Sequence, residues 1–426
     1  MVPDRWSGHK NPFFAIFLRA PDAILSFGSS VPKCRYLRAL PRVALNARRT
    51  VCARVACMRV CIDAVPLELR SAGIKNYLYY WTTHLREQAA EDAIVLFPPF
   101  GNPGSLDHEK SVFGPLATFL GLSCLSVANH TSLPVLDWVA GQADVFHATN
   151  QISNPPRRPR LTATIHDMTA WLLPEVHTPG NRAADYRFAE RILKRAAGLI
   201  AVSEQTRADA VRVLDLDPSK IQVIYSGVAR EFFEATPKSA AAAALKFGLK
   251  HPYILFVGTL EPRKNLDRLL DGYAQLSASL RAEFELVIAG PTGWAEPRTL
   301  ARLRSGEGVR VLGYVPEQDL PGLTAGAAVF AYPSLYEGFG FPVAQAMASR
   351  VAVLTSQTSS LPEVAQDGAI LVDPRSVAEI RDGLARLLLS EGLRQTLGAN
   401  GRRRAECYRW EKCAAASLQF FRSMAA

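Results

Sequence analysis

The 426-residue sequence has no G-x-x-x-x-G-K-[ST] loop, no C-x-x-C pair and no uninterrupted apolar run long enough to span a membrane. The first absence argues against a P-loop kinase or ATPase. The second goes with an odd set of seven cysteines (Cys34, Cys52, Cys57, Cys61, Cys124, Cys407 and Cys413) and no His partners at zinc spacing. Neither a disulfide framework nor a zinc site is indicated, and a reducing cytosol is the default. The nearest approach to a span, the uncharged segment 111–136, is broken by Gly114, Pro115, Gly121, Asn129, His130 and Pro134. A buried helix and loop is the simpler expectation, and contact with a membrane surface is the alternative.

A distributed positive charge is missing too. Ten basic and two acidic residues lie before Met58, so the leader carries +8 of the formal +10. The rest is nearly neutral and makes no electrostatic case for DNA or RNA. The leader is punctuated by Pro3, Pro12, Pro21, Pro32 and Pro41, and its longest apolar run, 13–18, is too short for a signal-peptide core. An organellar transit peptide is one reading; an upstream extension of uncertain status over residues 1–57, with the folded protein starting near Met58, is the simpler one.

What is present after Met58 is a regular alternation. Continuous β-rich apolar runs at 59–64, 93–97, 145–148, 161–166, 198–202 and 221–225 are separated by segments of helical composition, and a second series occupies 253–257, 284–289, 309–312, 327–331, 351–354 and 370–372. Continuous runs suit strands covered by helices on both faces. The expectation is α/β: two doubly wound Rossmann-like domains facing across a cleft, at 58–235 and 236–407, joined through a polar stretch and the alanine run 240–244. The final segment, 408–426, reads as a helix packing across both. Ligands of such sheets bind beyond the carboxyl ends of the strands.

One strand-to-helix loop stands out: Tyr332-Pro-Ser-Leu-Tyr-Glu337-Gly338-Phe339-Gly340-Phe-Pro-Val-Ala-Gln345. It brings a carboxylate to the cleft beside glycines that let backbone approach a ligand, and a helix start whose free amides suit phosphate. Arg263 and Lys264, in Gly258-Thr-Leu-Glu-Pro-Arg263-Lys264-Asn265, open another helix. Cations there oppose the helix dipole unless an anion sits between them. His166-Asp167 and His147 each end a strand of the first half, while Asp215-Leu-Asp217 copies a D-x-D metal pattern but precedes Pro218-Ser219-Lys220, where a turn is the expectation.

Taken together and in this order, with Ala201-Val-Ser203-Glu204, Ser226-Gly227-Val228 and Ser359-Ser-Leu-Pro-Glu363, these segments resemble the family 4 retaining glycosyltransferases of the GT-B fold, over about residues 58–424. The resemblance implies catalytic roles for His166 and Glu337. It implies a donor site made of Gly73, Gly258, Arg263, Lys264, Glu337, Gly338, Phe339, Gly340 and Gln345. Arg263 and Lys264 would take the charge of a departing nucleoside diphosphate, Glu337 would hold sugar hydroxyls, and His166 would face the sugar from the acceptor side. Front-face attack needs no protein nucleophile. Neither a metal nor a cofactor is implied, because the nucleotide-diphosphate sugar is the donor substrate. The likeness of two segments to polysaccharide mannosyltransferases favours a mannosyl unit, passed to a glycan or lipid-linked acceptor by a cytoplasmic enzyme with peripheral membrane contact.

Four positions depart from the pattern, and one of them, Thr259, stands where many relatives carry an Arg after the glycine. Gln345 stands where a second Glu usually holds the ribose, a loss of roughly 1 kcal/mol or tenfold in affinity. Lys75, after Gly73, reads as a further phosphate contact or a surface charge. Arg350 occupies a helix end that often carries Gly. Other readings on the same fold are an epimerase, a phosphorylase or a noncatalytic nucleotide-sugar-binding subunit.

Overall fold

The computed structural model describes residues 57–426 apart from 71, 72, 132, 295, 296, 306 and 307. The expectations for the leader before Cys57 lie outside the described residues. The five described cysteines are all free thiols.

The apolar runs become strands within two or three residues at each end. The first six, β1 (Arg59–Asp63), β2 (Ala93–Phe97), β3 (Val145–Ala148), β4 (Arg160–Ile165), β5 (Gly198–Ala201) and β6 (Ile221–Val223), form a parallel sheet in the order β2-β1-β3-β4-β5-β6. The second six, β7 (Tyr253–Val257), β8 (Glu285–Ala289), β9 (Val309–Gly313), β10 (Val329–Tyr332), β11 (Val353–Ser356) and β12 (Ala369–Val372), form another in the order β12-β11-β10-β7-β8-β9. In each sheet the direction of winding reverses once, between β1 and β3 and between β7 and β10. The crevice beyond such a reversal is where the strand ends diverge and a ligand can enter.

Nine helices matter to the site and its surroundings. In chain order they are α1 (Gly73–Gln88), α2 (Pro115–His130), α3 (Val135–Ala140), α4 (Glu204–Leu214), α5 (Pro237–Lys246), α6 (Leu266–Ala274), α7 (Leu320–Ala325), α8 (Phe341–Ala348) and α9 (Trp410–Ala425). The alanine run lies inside α5, whose start is fixed by a capping box between Thr236 and Ser239. α5 packs on α7 of the second half.

The C-terminal helix returns to the first half and lies along α1. Trp410, Cys413, Ala414, Leu418, Phe420 and Phe421 are buried, and Trp81 Nε1 donates to Ser417 Oγ at 2.9 Å. Trp410 is the crossing point, ringed by Tyr77, Tyr80 and His84 from α1 and Phe341 from the second half. Truncating a fully buried Trp of this kind costs about 3–5 kcal/mol, so this contact is a principal tie between the halves. One apolar cluster accordingly runs from α1 through α9 into the second sheet, while a second covers the other face of the first sheet.

Candidate active site

The loop after β10 and the loop after β7 meet at the winding reversal of the second sheet, and they carry the charged residues. Glu337 is 7% exposed. Its Oε1 accepts from Lys264 Nζ (2.7 Å), Ser334 Oγ (2.7 Å) and Tyr332 OH (3.0 Å), and its Oε2 accepts from Arg263 Nη1 (2.7 Å). Arg263 Nη2 reaches Glu261 Oε1 at 2.7 Å, and Lys264 Nζ stands 3.7 Å from the same oxygen. Burial alone would raise the Glu337 pKa. Arg263, Lys264 and the Ser334 hydroxyl outweigh it and push the carboxyl down to about 2.

The anion that a basic pair at a helix start requires is therefore supplied by the protein itself. Two carboxylates balance two cations, and the four side chains carry no net charge. Arg263 and Lys264 are therefore not a local excess of positive charge. Any anion that entered the cleft would have to compete with Glu261 and Glu337 for the same N–H groups.

Glycine is required on this loop for steric reasons. Gly340 has φ +93°, and a Cβ there would stand 2.7 Å from Leu361 Cδ2. A Cβ on Gly338 would lie 1.8 Å from the His166 carbonyl oxygen of the first half. The first half also holds the Gly338 carbonyl, which accepts from Ser203 Oγ (2.6 Å) and Thr206 Oγ1 (3.0 Å). Ser203 is the N-cap of α4, and the next two amides of that helix, Glu204 N and Gln205 N, donate to the Glu363 carboxylate of the second half at 2.9 and 3.2 Å. Tyr336 OH donates to the buried Asp209 Oδ2 at 2.7 Å. The loop bearing Glu337 is thus clamped by α4. Farther along, His108 Nε2 meets Glu317 Oε2 at 3.2 Å and Trp294 Nε1 donates to the Val176 carbonyl at 3.0 Å.

His166 forms the opposite wall. Burial pushes its pKa down to about 4 against the opposing pull of Asp167, so the imidazole is neutral at pH 7. Its Nε2 has no hydrogen-bond partner among the described residues, and its ring packs edge-on to Tyr77. Asp167 fixes the turn by accepting from the Thr169 amide at 2.9 Å and from the Thr169 hydroxyl. The cleft between the walls encloses about 720 Å³, enough for a drug-sized ligand.

Gly73, Gly258, Phe339 and Gln345 also line this cleft. Open space faces the Cα of Gly73, at the start of α1, whereas a Cβ on Gly258 would touch the Tyr332 and Phe256 rings at 3.7 and 3.8 Å. The Phe339 ring points away, packed on Tyr225, Phe341 and Tyr408, so only its backbone is available to a ligand. Gln345 is half-buried, and its side-chain amide has no protein partner among the described residues.

Lys75 is not where the sequence suggested, and His147, which at a strand end could either pack or contact an acceptor, packs. Lys75 is neither a phosphate contact nor a surface charge: it is buried, with Nζ donating to the Leu69 and Lys110 carbonyls at 2.6 and 2.5 Å. Its ammonium ties the segment between β1 and α1 to the loop between β2 and α2. His147 makes no acceptor contact, because it is buried in the sheet between Thr162 Oγ1 (2.9 Å) and Thr164 Oγ1 (2.8 Å), against Trp81 and Phe421. The Asp215 and Asp217 pair serves turns, Asp215 as the left-handed C-cap of α4 and Asp217 as the cap accepting from Ser219 N. Arg350 has φ +61°, in a Schellman turn with Val351 N donating to Ala346 O and Arg350 N to Met347 O, both at 3.0 Å.

Sequence reasoning assigned no role to Glu261, Ser203, Thr206, Asp209 or Glu363, nor to the Gly290–Gly293 loop that lines the cleft. Gly290, at φ +146°, could have been flagged, since a Cβ there would stand 1.9 Å from Gly258 O. The others are ordinary polar residues whose partners lie far away in sequence.

The comparisons agree with this geometry. The description Glycosyltransferase Family 4 matches residues 71–232, and Glycosyl transferases group 1 matches residues 238–404. O-antigen chain mannosyltransferase B of Escherichia coli is 32% identical over 286 residues, which covers 65% of this chain and 74% of that protein. Among solved structures, sucrose-phosphate synthase of Thermosynechococcus elongatus superposes with a TM-score of 0.67 at 18% identity, over 86% of this chain and 98% of that one. HepE of Anabaena in complex with UDP-glucose does so with 0.62 at 18% identity, over 85% and 100%.

Proposed function

The chain belongs to the two-domain glycosyltransferases that join a family 4 half to a group 1 half, and from that premise we propose that it moves a mannosyl unit from a nucleotide-diphosphate sugar to a glycan or lipid-linked acceptor, with retention and without a metal. The carrying observation is the Glu261–Arg263–Glu337–Lys264 network at the winding reversal, facing a neutral, unpartnered His166. The mannosyl choice draws on the Escherichia coli relative, and the nucleotide-sugar donor on the UDP-glucose bound to HepE.

The residues divide the work by charge. When the glycosidic bond to phosphate breaks, negative charge accumulates on the diphosphate. Arg263 and Lys264 are fixed cations beside it, already oriented and nearly dry, so their reorientation adds little to the barrier. The amides at the start of α8 add partial positive charge. Glu337 Oε1 already receives three donors, which leaves Oε2 as the oxygen with capacity for a sugar hydroxyl. His166, uncharged, can exchange hydrogen bonds with sugar hydroxyls without repelling the cations across the cleft. The acceptor hydroxyl attacks the anomeric carbon on the face the phosphate leaves, and its proton passes to the departing phosphate oxygen.

The test is turnover of a panel of purine and pyrimidine nucleotide sugars with glycan and lipid-extract acceptors, following nucleoside diphosphate release. NMR of the product gives anomeric configuration, and a chelator arm tests metal dependence. Transfer with retention, unaffected by chelator and lost in Glu337→Ala and His166→Ala, is expected. Tight donor binding with no transfer to any acceptor or to water would replace the proposal with a binding subunit; inversion or chelator sensitivity would overturn the mechanism.

A further inference from the structure

The longest uncharged stretch of the chain also carries most of the large apolar side chains exposed among the described residues. We propose that α2 and α3 form a face that docks onto an anionic phospholipid bilayer. Leu116, Phe119 and Trp138 are 72%, 68% and 71% exposed, and Leu120, Val127 and Leu133 are exposed as well. These six are more than half of the ten large apolar side chains exposed among the described residues, yet they fall within 23 positions. Leu116, Leu120, Ser123 and Val127 recur at helical spacing and share the outward stripe of α2. The inward stripe, with Gly121 and Ala128, is buried against the first half.

A surface helix of a water-soluble domain ordinarily shows charge on its outer face. The sixteen residues of α2 contain no Asp, Glu, Lys or Arg, so neither of its faces carries one of these charges. An exposed patch of this kind marks an interaction site.

Charge selects the occupant. Arg157 and Arg195 line a recess of about 380 Å³ with Thr131 and Leu133, at the junction of α2 and α3. Neither guanidinium has a carboxylate partner among the described residues. Arg158 beside them is exposed, and Arg191 donates only to Asn154 Oδ1 at 3.1 Å. The one acid in the recess, Asp137, is occupied by the Arg157 amide at 2.7 Å. An apolar stripe bearing a Trp, edged by unpaired arginines, matches the acyl boundary and phosphate layer of an anionic leaflet. A second copy of the chain fits less well, since a two-fold contact would bring the same arginines toward one another.

The position suits the chemistry proposed above. His108 and Glu109, in the loop that leads into α2, line the cleft. A docked α2 therefore brings the mouth of the cleft to the bilayer, where a lipid-linked acceptor would sit. That consequence rests on the glycosyltransferase reading, but docking itself does not.

The full chain is floated with phosphatidylcholine vesicles, with and without phosphatidylglycerol, at low and high salt. Binding to the anionic vesicles alone is expected, weakened by salt. It should fall roughly tenfold or more in Leu116→Ser/Phe119→Ser/Trp138→Ser, and in Arg157→Glu/Arg195→Glu. Thermal melting checks that both variants fold. Nucleoside diphosphate binding, expected unchanged in both, separates a failure of docking from a failure of the active-site reading. No flotation of the parent protein at low salt, or flotation unchanged in the apolar variant, would overturn the proposal. A dimer in sedimentation velocity that the apolar variant dissolves would assign the face to a second copy instead.

Discussion

Replacing Glu337 by Gln keeps the shape of the side chain and removes only its charge, which isolates what the ion pairs contribute. The carboxyl is depressed from 4.5 to about 2 in the folded chain. At about 1.4 kcal/mol per pKa unit this corresponds to about 3 kcal/mol of stability at neutral pH. With the side chain only 9% exposed, solvent screening takes little of it. The folded pKa lies below the unfolded one, so the contribution is complete above pH 4.5 and is lost as pH falls toward 2. Urea unfolding of the two proteins should therefore differ by about 3 kcal/mol at pH 7 and by about 1 kcal/mol at pH 3. Comparing the two proteins at each pH cancels the other carboxylates that titrate in this window. A gap that stays constant with pH, or one below about 1 kcal/mol at pH 7, would refute the assignment of the ion pairs as the source.

Four further outcomes are expected. Glu261→Gln removes one competitor for Arg263 and should tighten nucleoside diphosphate binding by about five- to tenfold in calorimetry; weaker or unchanged binding would count against charge competition. Gly338→Ala forces the loop away from His166 and should lower transfer by about a hundredfold with the circular dichroism spectrum intact, whereas full activity would show that the close approach is dispensable. Burial and the nearby Asp63 push the Glu68 carboxyl up to about 8, so the fold loses stability as pH rises from about 4.5 to 8, and Glu68→Gln should be about 3 kcal/mol more stable at pH 7 but equal near pH 4 by chemical denaturation. Arg350→Gly relieves a left-handed non-glycine residue and should gain about 1 kcal/mol, read as a rise of about 2 °C in Tm.

The twelve strands and the loop bearing Glu337 were legible because each is written locally: a continuous apolar run needs no knowledge of its neighbours to be read as a doubly covered strand. Arg263, Lys264, Glu337 and His166 were likewise visible from their places at strand ends. The balance of charge among them was not. Glu261 and Glu337 are 76 positions apart in the chain, and only the convergence of β7 and β10 at the winding reversal makes them share one arginine.

The same distinction explains the Lys75 correction, the place of His147 and the exposed face. Lys75 and His147 are ordinary polar residues until the fold supplies two carbonyls for one and two threonine hydroxyls for the other. The uncharged segment 111–136 reads as buried because apolar runs usually are, and only the folded chain shows that its outer stripe is left exposed among the described residues. By itself the sequence determined which segments are strands and which chemical groups arrive at their ends, since both follow from local pattern. The tertiary structure alone decided which charges neutralise one another and which apolar side chains stay uncovered, because burial and pairing depend on what the rest of the chain places beside each residue.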